Sequence, residues 1–171
     1  MEFLESVVSF LSAHVDLIVA FVSVVIGTLG VVLVFGIEKK AIFWSIVASV
    51  ICWAAFEITS KLGGGLFLAS FIGSALVAAY SDLMAHWLKV PATVLIIPGI
   101  IILVPGGKLY YTMLSAVRAD MAAFSSYGKE ALLIAAGRAI GIIAVTAISR
   151  PINARLNEIR LKIITEFKHK H

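Results

Sequence analysis

Charge is what this sequence has least of. Only 14% of its 171 residues are Asp, Glu, Lys or Arg, and 61% are hydrophobic, whereas a soluble domain carries roughly a quarter charged residues. The mean hydropathy is +1.05, which excludes an ordinary water-soluble fold. A single cysteine, Cys52, excludes an internal disulfide. The four histidines, His14, His86, His169 and His171, are too scattered to form a metal motif, and only His86 has a carboxylate, Asp82, one turn away. Catalytic signatures are missing as well. There is no Gly-x-Ser-x-Gly elbow and no His-Glu-x-x-His pair, and "VPGGKLYY" lacks the upstream glycine and the Ser/Thr of a phosphate loop. Neither an enzyme nor a bound cofactor is expected. The net charge of +4 comes from basic residues placed between and after apolar runs, not from a patch with aromatics, so nucleic acid is not an expected partner.

What the sequence has is apolar length. A bilayer core of about 30 Å needs about 20 residues of helix, and five such runs can be laid out: Val15 to Gly36, Ala41 to Ser60, Leu66 to about Trp87, Val90 to Val104, and Ala131 to Ser149. The expected fold is an all-α integral membrane protein of five transmembrane helices in a single domain over residues 1–171. A basic, helical tail occupies residues 150–171. The opening "MEFLESVVSF" is acidic where a signal peptide would be basic, so the first span is expected to be retained. Positively charged loops stay cytoplasmic, and an external N-terminus with a cytoplasmic C-terminus puts nine of the lysines and arginines inside. Only Lys61, Lys108, Arg118 and Lys129 then lie outside, and Arg138 lies within a span. That pattern predicts a multi-pass membrane protein.

Between the fourth and fifth runs, Leu109, Tyr110, Met113, Leu114, Val117, Met121 and Phe124 recur at helical spacing and predict one further amphipathic helix. The tail repeats the pattern with Ile152, Leu156, Ile159, Ile163 and Phe167, as suits a helix at an anionic membrane surface or against a partner.

The fourth run, "VPATVLIIPGIIILVPGG", is the anomaly. It holds Pro91, Pro98 and Pro105 seven residues apart and follows two of them with glycine. Proline in a helix interior costs about 3 kcal/mol, and backbone groups left unpaired in hydrocarbon cost several more, so a broken helix persists only inside protein or beside an aqueous cavity. Discontinuous helices of this kind bind solutes in transporters. The spacing predicts interruptions at Pro98–Gly99 and at Pro105–Gly106, with both glycines letting backbone approach a substrate.

Arg138, in "AAGRAIG", lies near mid-bilayer, where an arginine costs at least about 2.5 kcal/mol. Its expected partners are a substrate carboxylate, Glu57, Asp82 or the carbonyls of the broken run. Ser70, Gly73, Ser74 and Ser81 make a small, polar stripe on the third run that can pack a helix or donate to a solute. Asp82 with His86, and Glu57 separately, are the candidates for proton coupling. Gly137 and Gly141 form a G-x-x-x-G pair that could instead drive self-association into a homo-oligomeric channel.

The stretch "GLFLASFIGSALVAAYSDLMAHWLKVPATVLIIPGIIILVPGGKLYYTMLSAV" resembles the small, C-terminal half of the threonine/serine exporter family. The resemblance covers roughly Gly65 to Ile142, and Pro98, Leu103, Val104, Pro105, Gly106, Tyr110 and Met113 match the family's "P-x-x-x-x-L-V-P-G" core and the tyrosine and methionine after it. It implies efflux of small hydrophilic amino acids coupled to the proton gradient, across the inner membrane of a prokaryote. Split members imply succinate export as the alternative. It also implies a larger partner subunit carrying a polar domain. On this reading Pro98, Gly99, Pro105, Gly106, Arg138, Ser70, Ser74 and Tyr110 form the solute site, with Tyr110 at its outer mouth. The rival from another class is a structural subunit that binds no solute.

Overall fold

A computed structural model describes the backbone of residues 2–102 and 104–169 and the side chains of residues 15–102 and 104–149. Leu103, His14 and the apolar stripe expected in the tail have side chains outside these residues. The described backbone is all helical: α1 (Glu2–Val34), α2 (Lys39–Lys61), α3 (Leu66–Leu88), α4 (Thr93–Ile101), α5 (Gly106–Val117) and α6 (Met121–His169). Val15–Val34 of α1, all of α2 and α3, and Met121–Ser149 of α6 are each long and apolar enough to cross a bilayer.

The punctuation between helices follows local chemistry. Gly36 and Gly63 adopt positive φ at the ends of α1 and α2, a conformation that glycine reaches without a Cβ penalty. Lys89 takes the left-handed conformation at the end of α3, and Pro91, which disfavours a helical residue before it, keeps the chain out of helix until Thr93.

Three expectations change. The fourth run is interrupted once, not twice, because α4 runs straight through Pro98 and the break falls at Ile102 to Pro105. The predicted amphipathic helix is cut in two at Arg118–Asp120, where Ala119 has φ of 56° and the Asp120 carboxylate accepts the Ala123 amide at 3.0 Å, capping α6. Finally, α6 starts ten residues before Ala131 and continues through Pro151 into the tail, so the fifth run and the tail are one helix of 49 residues.

Packing fixes the topology. Gly137 lies against Phe67 and Ser70, Gly141 against Phe71 and Ser74, and Ser149 against Asp82, so α3 and α6 run parallel in close contact. Parallel neighbours require the chain between them to return to the side from which α3 began. α4 and α5 make up that connection and bend by 52° at their junction. Their 9 and 12 residues amount to about 31 Å of helix at 1.5 Å per residue. The small side chains Ala41, Ser45, Ala48, Ser49 and Cys52 form the buried face of α2, α4 lies against α1, α2 and α3, and α5 packs on α6.

Candidate functional site

The two Pro-Gly steps occupy different surroundings. Pro98 and Gly99 are buried, and a Cβ added to Gly99 would stand 2.8 Å from Val77 Cγ1 and 3.2 Å from Ala48 Cβ. The first step is therefore an intimate contact of α4 with α2 and α3. The Ser49 hydroxyl, with one hydrogen to donate, lies 3.0 Å from the Pro98 carbonyl oxygen and 3.1 Å from that of Ser45, linking α2 to the first step. Ser49 is not among the sequence-predicted site residues. The i, i+4, i+7 recurrence of Ser45, Ser49 and Cys52 on an otherwise apolar helix is the signal that marks it.

The second step borders open space. Val104 and Pro105 line a cavity of 540 Å³ whose opposite wall is α6, through Phe124, Gly128, Ala131 and Ala135. A Cβ at Gly106 would meet nothing within 4 Å. The chain at the break remains locally paired: the Val104 amide donates to the Ile101 carbonyl, and the Gly106 amide to that of Val104. α5 then starts on the cavity wall with no side-chain cap, so its first turn brings positive dipole charge to this place.

Arg138 also lines this cavity. It is buried, with 7% of its surface exposed, and its Nη1 has no hydrogen-bond partner among the described residues. Neither acidic partner expected for it is free. Glu57 pairs with Lys61 at 3.1 Å, one turn along α2, and the Asp82 carboxylate accepts the Ser149 hydroxyl, joining α3 to α6. A guanidinium held in apolar surroundings needs an anion; part of the Arg138 side chain borders the cavity, while Nη1 itself is fully buried.

The remaining candidates divide. Ser70 and Ser74 are buried on α3, facing the glycines of α6. Ser74 donates to the Phe71 carbonyl, while Ser70 Oγ has no partner among the described residues. Both lie in the α3–α6 seam, and neither lines the cavity. Tyr110 is 62% exposed and packs edge-on to Tyr111, which lies against Tyr127; its neighbours Leu109 and Thr112 line the cavity instead. His86 Nδ1 is 2.7 Å from the backbone oxygen of Asp82, not its carboxylate, so the two side chains form no direct pair. Lys108 and Glu130 form an ion pair at 2.5 Å between α5 and α6, with the lysine also 5.5 Å from the Tyr127 ring. Neither was singled out from the sequence, because a lysine and a glutamate 22 positions apart give no spacing signal.

Gly137 and Gly141 are not available for self-association. A methyl on Gly137 would stand 2.5 Å from the Phe67 carbonyl oxygen, and one on Gly141 would collide with Ser74 Oγ and stand 2.6 Å from the Phe71 carbonyl oxygen. The G-x-x-x-G face is consumed within the chain by α3.

The sequence from residue 20 to residue 148 matches the family described as Threonine/Serine exporter, ThrE. No curated protein and no solved structure matches the chain.

Proposed function

The chain belongs to the threonine/serine exporter family, and from that premise we propose that it is a membrane subunit of a secondary exporter for small carboxylate-bearing solutes, threonine and serine first among them. The observation that carries this reading is the buried Arg138, whose side chain lines the cavity beside the Val104–Gly106 break and whose Nη1 has no hydrogen-bond partner among the described residues. The guanidinium and the uncapped start of α5 together favour a carboxylate there. Pro105 and Gly106 give the solute access to backbone. Pro98, Gly99, Ser70 and Ser74 hold the surrounding helices in place, and Tyr110 stands outside the cavity.

On this reading α4 and α5 together make the fourth of five crossings; the distribution of lysine and arginine supports an external N-terminus and a cytoplasmic basic tail, and the family resemblance supports a prokaryotic plasma membrane. Coupling to the proton gradient falls to Asp82, whose carboxylate bridges α3 to α6; His86 and Glu57 are the secondary candidates. The family resemblance supplies the larger partner subunit with its polar domain, and succinate as the alternative cargo.

The test is efflux from vesicles containing this chain and a large-half partner, loaded with labelled threonine or succinate. Arg138→Gln should lower export roughly ten- to a hundredfold, the worth of a hydrogen bond to a charged group, and Arg138→Lys should restore part of it. Unchanged export in Arg138→Gln would remove the arginine from the mechanism.

A further inference from the structure

Of the ion pairs among the described residues, only Lys108–Glu130 joins two helices; the other two lie within one stretch of chain. The pair stands at the rim of the cavity. Leu109 and Thr112, one and four residues after Lys108, line the wall, as do Gly128 and Ala131 on either side of Glu130. The wall itself holds no carboxylate among the described residues, so a solute ammonium group finds its counter-charge at this rim. Space is open beside the lysine: a Cβ added to Gly106 or Gly107 would meet nothing within 4 Å. Glu130 Oε2 has Lys108 Nζ at 2.5 Å as its ionic partner, yet it is buried and makes no well-directed hydrogen bond among the described residues.

Resting on the reading of this chain as an exporter subunit that holds amino acids in this cavity, we infer that Lys108 and Glu130 recognise the zwitterion of threonine or serine by exchange. The solute carboxylate takes the place of Glu130 on Lys108, and the solute ammonium takes the place of Lys108 on Glu130. One ion pair becomes two, and no charge is left unbalanced. With side chains 40% and 33% exposed, the internal pair is worth little by itself, so parting it costs little. The Tyr127 ring, 5.5 Å from Nζ, continues to attract the lysine. Thr112 Oγ1 has given its hydrogen to the Lys108 carbonyl oxygen at 2.7 Å, and its remaining lone pair can accept the hydroxyl hydrogen of threonine or serine. Succinate brings two negative charges and no positive one, so Glu130 would face like charge. Arg138 lies eight residues further along α6, about 12 Å. An amino acid, whose two charged groups share one carbon, therefore occupies the rim and the arginine in turn.

The experiment is equilibrium binding of radiolabelled threonine to the purified full-length chain in lipid nanodiscs, with competition by serine, N-acetylthreonine, threoninol and succinate. Both halves of the recognition lie on this chain, so saturable binding is expected without a partner subunit. N-Acetylthreonine lacks the ammonium and threoninol lacks the carboxylate; each should compete at least tenfold more weakly than threonine, the worth of a hydrogen bond to a charged group, and succinate should do no better. Glu130→Gln should weaken threonine roughly tenfold and close its gap to N-acetylthreonine, while Lys108→Gln should close the gap to threoninol. These gaps are ratios within one variant and do not depend on how much of it is folded. Glu130→Asp and Lys108→Arg, which keep the charges, should keep the parent's order of ligands. If Lys108→Gln and Glu130→Gln weaken every ligand alike, or change nothing, the pair is only a tie between α5 and α6 and the inference is overturned. In that case loss of binding in Arg138→Gln leaves the reading of the arginine as carboxylate anchor intact. Succinate competing as well as threonine overturns the inference in favour of the dicarboxylate cargo. Absence of saturable threonine binding to the folded chain overturns both the inference and the reading on which it rests.

Discussion

Two Pro-Gly dipeptides seven residues apart have the same composition and opposite surroundings. At Pro98–Gly99 the helix continues, the glycine is pressed against Ala48 and Val77, and the Ser49 hydroxyl lies beside the proline carbonyl. At Pro105–Gly106 the helix stops, the glycine touches no side chain, and a cavity with a buried arginine opens alongside. What separates them is the neighbouring helices. α2 and α3 close over the first step, while the second, among the described residues, faces α6 across open space. A proline in an apolar run therefore marks a weak place in a helix, and packing decides whether that place becomes a contact or an opening.

The contrast breaks most visibly under polar thiol reagents. With Cys52 replaced by alanine, Gly106→Cys should be labelled in membranes within minutes and protected by a bound carboxylate, whereas Gly99→Cys should stay unlabelled until the protein unfolds. Equal labelling would show that the two steps share an environment. Next in size, Gly99→Val should lower the thermal stability of the detergent-solubilised protein by about 1–3 kcal/mol through overpacking against Val77 and Ala48. Gly137→Val should do at least as much by forcing α6 away from the Phe67 backbone. Ser49→Ala removes the hydroxyl that lies between the Pro98 and Ser45 carbonyls and should cost about 0.5–1.5 kcal/mol in the same melt. Smallest of all, Gly106→Ala should stay within about 0.5 kcal/mol of the parent; a loss as large as that of Gly99→Val would mean that the second step is packed after all.

Much of the helical inventory is legible in the residues themselves. α2 and α3 lie within two residues of the apolar runs that predict them, because crossing a bilayer demands an unbroken apolar length. The subdivision of residues 105–130 is not legible. Leu109 to Phe124 keep helical spacing across Arg118–Asp120, so periodicity alone reports one helix, and only the tertiary contact between α5 and α6 reveals the turn. At the site, Arg138 and the Pro105–Gly106 break stand out in the sequence as residues costly to place in a membrane. Ser49 and the Lys108–Glu130 pair do not, since each acquires its role from a partner on another helix.

The sequence by itself determined that this chain is a helical membrane protein with one arginine and one proline-rich run in its apolar interior, because solvation energies depend on residue type and run length. Only the tertiary structure decided which proline step opens, that α3 and α6 run side by side in the same direction, and that Glu57 and Asp82 are already engaged and leave Arg138 facing a cavity. Those outcomes depend on which side chains of distant segments meet, and a one-dimensional pattern carries that information only after the helices have packed.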